Sequence, residues 1–173
     1  MASNKKISIL GDLAVGKTSL VRRYVLNQFS PDYQATLGVN VYKYVEPEFG
    51  PGDGTGGINL IIWDIEGNHH NADLQRTYLQ GSAGALVVGD VTRDKTLSDM
   101  EAHAKAFLDV CPGRPLAFAA NKIDLLEGDS HAPPQARLVE EFGAPAFATS
   151  AKTGEAVPEI FRALGQRILQ LGT

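Results

Sequence analysis

The sequence predicts an α/β fold: a six-stranded, mostly parallel sheet with one antiparallel hairpin strand and helices on both faces. Short apolar runs alternate along the chain with segments in which apolar residues recur at helical spacing. Two runs are joined by a turn-rich segment, which is typical of a hairpin, and the others are separated by helical patterns, which is typical of parallel strands. The length indicates a single domain over residues 1–173.

The predicted elements follow one another in a regular order. Strands are expected at 7–10, 39–45, 58–64, 84–91, 115–121 and 144–150. Helical spacing recurs after the first strand, from Leu97 to Leu108, after Pro133 and Pro134 as far as a cap at Gly143, and from Val157 to Leu171. The hairpin tip, EPEFGPGDGTGG, is interpreted as a solvated connector.

Composition excludes several classes of function. The net charge of −4 gives no electrostatic case for nucleic acid or anionic lipid, so neither partner is expected. Cys111 is the single cysteine, which argues against a disulfide framework or a Cys-rich zinc module and indicates a reducing, cytoplasmic compartment. No apolar run approaches a membrane span, Ala2 replaces the glycine of a myristoylation site, and the last residues offer no cysteine for prenylation. We therefore expect no direct membrane anchor.

The segment GDLAVGKTS, residues 11–19, lies between the first predicted strand and the first helix. It matches G-x-x-x-x-G-K-[ST] at Gly11, Gly16, Lys17 and Thr18. In this pattern backbone N–H groups surround a polyphosphate, and the helix N-terminus adds positive potential. Lys17 can bridge the β- and γ-phosphates, and the Thr18 hydroxyl is a hard oxygen suited to Mg²⁺. The segment therefore predicts a phosphate-binding loop.

The segment NKID, residues 121–124, follows a buried strand and indicates which base is bound. The Asp124 carboxylate can accept the N1–H and N2–H₂ donors of guanine, a pair that adenine lacks. Lys122 can pack its stem over the base, and Asn121 can join this loop to the phosphate loop. Asp124 thus disfavours an ATP-using kinase or ATPase.

A weaker indication follows the last strand, in the segment TSAKTG at residues 149–154. Ser150 and the Ala151 amide can support the base, and Lys152 can cover it. By itself this segment predicts little, but parallel strands end at the same sheet edge, where ligands bind in such folds.

Together these residues resemble a small GTPase of the Ras superfamily, nearest in pattern to the Rab branch. The resemblance covers essentially all 173 residues and rests on GDLAVGKTSLVRRYV, FSPDYQATLGV, WDIEG, NKID and TSAK. It implies a P-loop NTPase fold and a switch that binds GTP or GDP with Mg²⁺ and hydrolyses GTP. It also implies that effectors, and GAP or GEF proteins, bind residues 29–40 and 64–80, here called the first and second switch regions.

Particular roles follow from the same resemblance. Phe29 resembles the aromatic residue that stacks on the base edge, Tyr33 the tyrosine near the γ-phosphate, and Thr36 the threonine that ligates Mg²⁺ when GTP is bound. Asp64 resembles the acid of D-x-x-G, which holds Mg²⁺ through a water, and Gly67 lets its amide approach the γ-phosphate. Release of both regions on hydrolysis would be an order–disorder switch.

The expected site residues fall into three sets. Nucleotide binding is assigned to Leu13, Ala14, Val15, Gly16, Lys17, Thr18, Ser19, Phe29, Tyr33, Thr36, Gly67, Asn121, Lys122, Asp124, Ser150, Ala151 and Lys152. Catalysis is assigned to Lys17, Thr36, Gly67 and Asn68. Metal binding is assigned to Thr18, Thr36 and, through water, Asp64. A zinc or iron site at Asp64, Glu66, His69 and His70 stays open beside the interpretation of both histidines as part of an exposed partner surface.

Three departures from the family pattern bear on hydrolysis. Asn68 stands where the family usually has Gln, and its amide, on a stem one carbon shorter, reaches less far toward an attacking water. Glu66 replaces a small residue and could repel the γ-phosphate or turn outward. Leu13, in the phosphate loop, could crowd an arginine supplied by a partner. We therefore expect slow hydrolysis, or hydrolysis that a partner assists in a way different from the usual one. The alternatives are normal turnover through small shifts of loop and water, and a nucleotide-locked interaction module that is not an enzyme.

Overall fold

A computed structural model describes residues 3–49, 57–67, 71–128 and 135–172. Within them six strands are present: β1 (Ser3–Leu10), β2 (Val39–Glu46), β3 (Ile58–Ile65), β4 (Gly84–Asp90), β5 (Leu116–Asn121) and β6 (Ala146–Thr149). They form one sheet in the order β2-β3-β1-β4-β5-β6. β2 is antiparallel to β3, and every other neighbouring pair is parallel. The predicted sheet is confirmed.

Helices cover both faces of this sheet, as predicted. They are α1 (Lys17–Leu26), α2 (Ala72–Leu79), α3 (Asp94–Ser98), α4 (Met100–Val110), α5 (Ala136–Phe142) and α6 (Val157–Leu171). Side chains of α1 and α6 form one buried cluster with the sheet, and those of α2, α4 and α5 form another with its opposite face. In the described ranges no helix is both long and apolar enough to cross a membrane.

Strand and helix patterning explains the two clusters. Along β1, Ile7 and Ile9 enter the cluster of α1 and α6, whereas Leu10 enters the other, because successive side chains point to opposite faces. All of β4 is buried, as expected for an inner parallel strand. On α6, a stripe at helical spacing is buried, whereas Leu171 is 58% exposed.

The predicted helical face from Leu97 to Leu108 belongs to two helices, α3 and α4, which meet at Asp99. Ser98 Oγ donates to Asp94 O at 3.0 Å, a local bond that competes with regular helix geometry. Leu97 and Met100 both pack over Gly89 of β4, where a Cβ would come within 3 Å of each. The prolines expected to open α5 lie outside the described residues, and Gly143 caps α5 with φ 57°.

The hairpin tip differs from the solvated connector expected. Residues Pro47–Phe49 form a short 3₁₀ helix, and Phe49 is only 5% exposed, packed in the cluster of α1 and α6. Glu46 is also buried. Its carboxylate accepts a hydrogen bond from the Tyr24 hydroxyl and lies 3.4 Å from Arg162 Nε. The beginning of the tip is therefore part of the core, and residues 50–56 lie outside the described residues.

Candidate functional site

The carboxyl ends of the parallel strands bring the predicted polar residues to one edge of the sheet. In the strand register, Ile9 pairs with Asp64, Asp90 with Asn121, and Asn121 with Thr149. A cavity of about 510 Å³ opens at this edge, between the loop that precedes α1 and the loops that follow β5 and β6. This is the place where open α/β sheets bind ligands.

The loop before α1 has positive φ angles at three positions. Gly11 has φ 148°, Ala14 has φ 60° and Gly16 has φ 98°. A Cβ on Gly16 would lie 2.3 Å from Asn121 Nδ2, so only glycine lets this loop and the β5 loop approach so closely. Gly16 is also the N-cap of α1, where the helix presents free N–H groups and a positive dipole end, a natural anion site.

Two cationic side chains hold the outer side of this loop, and both of them bind one buried carboxylate, that of Asp90. Lys122 Nζ lies 2.9 Å from Asp90 Oδ2 and donates to Ala14 O at 2.7 Å. Arg93 Nε lies 3.1 Å from the same oxygen, and its Nη2 donates to Leu13 O at 2.8 Å. Burial alone would raise the pKa of Asp90, but hydrogen bonds from Thr92, Lys122 and Arg93 hold it below its usual value. Asp90 therefore stays charged and fixes both partners.

Lys17 lies at the phosphate end of the cavity and is nearly buried. Its Nζ donates to Gly11 O at 2.9 Å and to Asp12 O at 2.7 Å. Burial lowers its pKa to about 8, and the charges of Asp64 and Asp12 limit the fall. An anion beside the ammonium group would raise this pKa again, because it stabilises the charged form. Gly67 closes the same end, where a Cβ would lie 2.5 Å from Lys17 Nζ.

Three oxygen-bearing side chains form a compact cluster beside Lys17. Thr18 Oγ1 lies 2.7 Å from Thr36 Oγ1 and donates to Asp64 Oδ2 at 2.5 Å. The other carboxylate oxygen, Asp64 Oδ1, is buried and has no hydrogen-bond partner among the described residues. Burial raises the pKa of Asp64, opposed by the Thr18 hydroxyl and the charge of Lys17. Hard oxygens, one of them unsatisfied, beside a phosphate loop fit a hydrated Mg²⁺ ion.

The other end of the cavity is built around Asn121. Its Nδ2 donates to Val15 O at 3.0 Å, and its Oδ1 accepts from Thr149 Oγ1 at 3.1 Å and from Ala151 N at 3.2 Å. This one side chain therefore joins three loops. Asp124 lines the cavity beyond it, and Ser150 Oγ donates to Asp124 Oδ1 at 2.7 Å, which fixes the carboxylate.

A model of the Ras family matches residues 6–170. The chain belongs to the Ras family. The GTP-binding protein ypt5 of Schizosaccharomyces pombe is 33% identical over 175 residues, covering 95% of this chain and 78% of its own length. The Ras-related protein Rab-32 of Homo sapiens is 34% identical over 173 residues, with 95% and 74% covered. The predicted Rab-like pattern within the Ras family is confirmed.

In this Ras-family chain the cavity gathers most of the predicted nucleotide residues. Those that line it are Leu13, Ala14, Gly16, Lys17, Thr18, Ser19, Phe29, Tyr33, Thr36, Gly67, Asn121, Lys122, Asp124, Ala151 and Lys152. The Val15 side chain is instead buried in the core, and Ser150 is buried behind Asp124. Asn68, His69 and His70 lie outside the described residues. The alternative of a zinc or iron site that uses both histidines therefore also falls outside them. The described part of the chain holds no group of three His, Cys, Asp or Glu side chains placed to hold a metal ion.

Sequence reasoning missed two kinds of residue. The cavity is also lined by Arg22, by Leu125 and by the residues of segment 28–34 other than Phe29 and Tyr33. The only signal for those residues of the segment was that they adjoin Phe29 and Tyr33. Asp90 and Arg93 were missed because they do not line the cavity and act through Leu13, Ala14 and Lys122. The signal available for Asp90 was a lone acid at the end of an otherwise apolar strand.

Proposed function

We propose that this chain is one G domain, residues 1–173, that works as a guanine-nucleotide switch, binding GTP or GDP with Mg²⁺ and hydrolysing GTP. One observation carries the proposal: Asn121 bonds to Val15 of the phosphate loop and to Ala151 of the last loop. The base-binding acid Asp124 and the phosphate-binding Lys17 consequently face a single cavity. A guanine nucleotide has the charge and the donor pattern that these two ends would recognise.

Each end of the cavity has a distinct task. The carboxylate of Asp124 accepts the two guanine donors, while Lys122 and Lys152 flank the base and Phe29 packs at its edge. The backbone N–H groups from Leu13 to Ser19, with Lys17, hold the phosphates. Thr18 and Thr36, with Asp64 through water, would hold Mg²⁺, which when bound neutralises charge on the β- and γ-phosphates.

Hydrolysis is the attack of water on the γ-phosphorus, which breaks the bond to GDP and leaves inorganic phosphate. Lys17, Thr36 and the Gly67 amide would surround the γ-phosphate, and Asn68 would orient the water. We propose that this step is slow, because the Asn68 amide reaches less far than that of Gln. Leu13 is 43% exposed at the rim of the cavity, a bulk that an incoming arginine would meet.

The test begins with the nucleotide that co-purifies, identified by mass spectrometry, and continues with single-turnover hydrolysis of bound GTP. Asn68→Gln should speed hydrolysis by about 10- to 100-fold, the range expected when a misplaced water is repositioned. The matched control is Asn4→Gln, the same change at an exposed residue near the start of β1, at the end of the strand far from the cavity. It should leave the rate unchanged. An Asn68→Gln rate equal to the wild-type rate would contradict the reach argument, and bound ATP would contradict the guanine assignment.

Partner binding is proposed for the two switch regions. Leu37 is 83% exposed and Tyr33 is 61% exposed in the first region, and Leu74 is 42% exposed in the second. Apolar side chains so exposed suit a protein surface that is covered by an effector, GAP or GEF. Binding of such partners would depend on which nucleotide orders the two regions.

A second candidate, a nucleotide-locked interaction module, is favoured by one observation. Glu66 N donates to Gly38 O at 2.8 Å, so the two switch regions are joined by protein groups alone. A contact that needs no γ-phosphate could hold one surface with either nucleotide. Equal partner affinity of the GDP complex and the complex with a non-hydrolysable GTP analogue would select this candidate over a switch.

A further inference from the structure

Glu66 makes a two-way contact with Gly38. The Glu66 carboxylate accepts the Gly38 N–H through Oε2 at 3.0 Å, and the Glu66 N–H donates to Gly38 O at 2.8 Å. Gly38 has φ 71°, a conformation that glycine adopts without strain. The side chain that could have repelled the γ-phosphate is instead used in a hydrogen bond to the first switch region.

The residues on either side of this contact belong to the phosphate end of the cavity. Gly38 lies two residues beyond Thr36, whose hydroxyl is 2.7 Å from that of Thr18. Glu66 precedes Gly67, which packs against Lys17 and the Asp12 carbonyl. The contact therefore links the loop carrying Thr36 to the loop carrying Gly67, at the point where both approach the phosphate loop.

We propose that Glu66 is a positioning residue whose carboxylate clasps the Gly38 amide and holds Thr36 beside Thr18 and Asp64. The inference rests on the proposed function, because holding Thr36 in place matters only if a nucleotide binds with Thr36 at its Mg²⁺ site. Ordering the first switch region in advance reduces the ordering cost of binding GTP, and GDP gains less because it lacks the γ-phosphate. The clasp thus shifts nucleotide preference toward GTP.

The test compares wild type, Glu66→Ala, which removes the acceptor, and Glu66→Gln, which keeps an acceptor without the charge. Glu159→Ala, an exposed glutamate on α6, is the matched control. Two quantities are measured on the same samples: the dissociation rates of GDP and of a non-hydrolysable GTP analogue, and the hydrogen-exchange rate of the Gly38 amide by NMR.

We expect Glu66→Ala to speed Gly38 exchange and analogue release about tenfold, the size of one hydrogen bond to a charged group, with GDP release nearly unchanged. Glu66→Gln should recover at least half of the loss on a logarithmic scale, and Glu159→Ala should match wild type. Slower analogue release in both Glu66 variants would show charge repulsion and overturn the proposal. So would unchanged Gly38 exchange in Glu66→Ala, or a Gln variant as impaired as Ala.

The two proposals fail in different ways. If wild type bound neither guanine nucleotide, the proposed function would be wrong, whereas Gly38 exchange would still show whether the clasp exists. If wild type bound both nucleotides and Gly38 exchange did not respond to Glu66→Ala, the clasp would be wrong and the proposed function would stand.

Discussion

Asp124 is the side chain that we propose selects the base, and its surroundings suit it to that role. Ser150 holds one oxygen of the carboxylate at 2.7 Å, and the acid lines the cavity beyond Asn121. A fixed carboxylate presents acceptors only, so it matches the adjacent donors of guanine and rejects a base with an acceptor at that position.

Replacing this acid should change the base that is bound. Asp124→Asn should weaken GDP binding by about 10²–10⁴-fold, because two hydrogen bonds to a charged group are lost. The same variant should gain affinity for xanthosine diphosphate, because its amide presents a donor. Both affinities can be measured by competition against a fluorescent nucleotide.

The matched control is Asp109→Asn, on α4 and away from the cavity lining. It should bind GDP as the wild type does. If Asp124→Asn bound GDP as tightly as wild type, the guanine base would not be bound by Asp124.

Glu66 and Asp90 do not line the cavity, yet each holds the backbone of a segment that does. Asp90 fixes Lys122 and Arg93, and these two side chains hold the carbonyl groups of the phosphate loop. Glu66 holds the first switch region at Gly38. In both residues a carboxylate determines backbone position, which a list of cavity-lining residues does not reveal.

At the scale of elements, the hairpin of β2 and β3 is tied to α6 by Phe49. The ring packs against Gly165, where a Cβ would lie 2.8 Å from Phe49 Cε2. Tyr24 of α1, stacked on Phe161 of α6 with ring centroids 4.1 Å apart, bonds to Glu46 at the end of β2. The hairpin, α1 and α6 therefore share one packed junction.

This junction predicts that Gly165→Ala changes the free energy of unfolding in opposite directions in the wild type and in Phe49→Ala. Phe49→Ala should reduce the free energy of unfolding by about 3 kcal/mol, as for other buried phenylalanines. Gly165→Ala should destabilise the wild type by about 1–3 kcal/mol through overpacking. In the Phe49→Ala background it should instead stabilise by about 0.5–1 kcal/mol, because alanine is the better helix former once the ring is gone.

Urea unfolding of the four proteins gives the coupling directly. Leu171→Ala, at a side chain that is 58% exposed, is the control and should change stability by less than about 0.5 kcal/mol. An equal cost of Gly165→Ala in both backgrounds would show that Phe49 does not fill this space.

At the scale of the whole molecule, the proposed Mg²⁺ site needs parts that are distant in sequence. Thr18 lies in the first turn of α1, Thr36 belongs to the first switch region, and Asp64 lies near the end of β3. The three side chains meet within hydrogen-bond distance because β1 pairs with β3, which brings the start of α1 beside Asp64.

Removal of the metal should therefore loosen the nucleotide. Addition of EDTA should speed GDP release from wild type by about 5- to 150-fold, the usual range of coupling between two ligands. Thr18→Ala should release GDP quickly without EDTA and respond little to it. Ser98→Ala, which removes an exposed hydroxyl on α3, should behave as wild type. If EDTA sped GDP release from Thr18→Ala as much as from wild type, Thr18 would not be a ligand of the metal.

Much of this molecule follows from the local sequence. Apolar periodicity predicted every strand of the described sheet, because the spacing of buried residues is fixed by the geometry of each element. The turn residues between β2 and β3 predicted the antiparallel pair. The segment 11–19 predicted the phosphate loop for the same kind of reason, since only glycine permits the close approach at Gly16. The break between α3 and α4 was not predicted, because the apolar residues from Leu97 to Leu108 keep helical spacing across it.

The sequence by itself is enough to predict the proposed phosphate loop and the proposed base-binding acid, because each is encoded within a few consecutive residues. The assembly of the oxygen side chains and the positions of long side chains between elements depend on the tertiary structure, because their partners come from distant parts of the chain. Glu66 could have faced the phosphates or Gly38, and Phe49 could have faced solvent or Gly165; both choices were settled by partners about 30 to 116 residues away. Short motifs fix local geometry, whereas the direction of a flexible side chain depends on what the fold brings beside it.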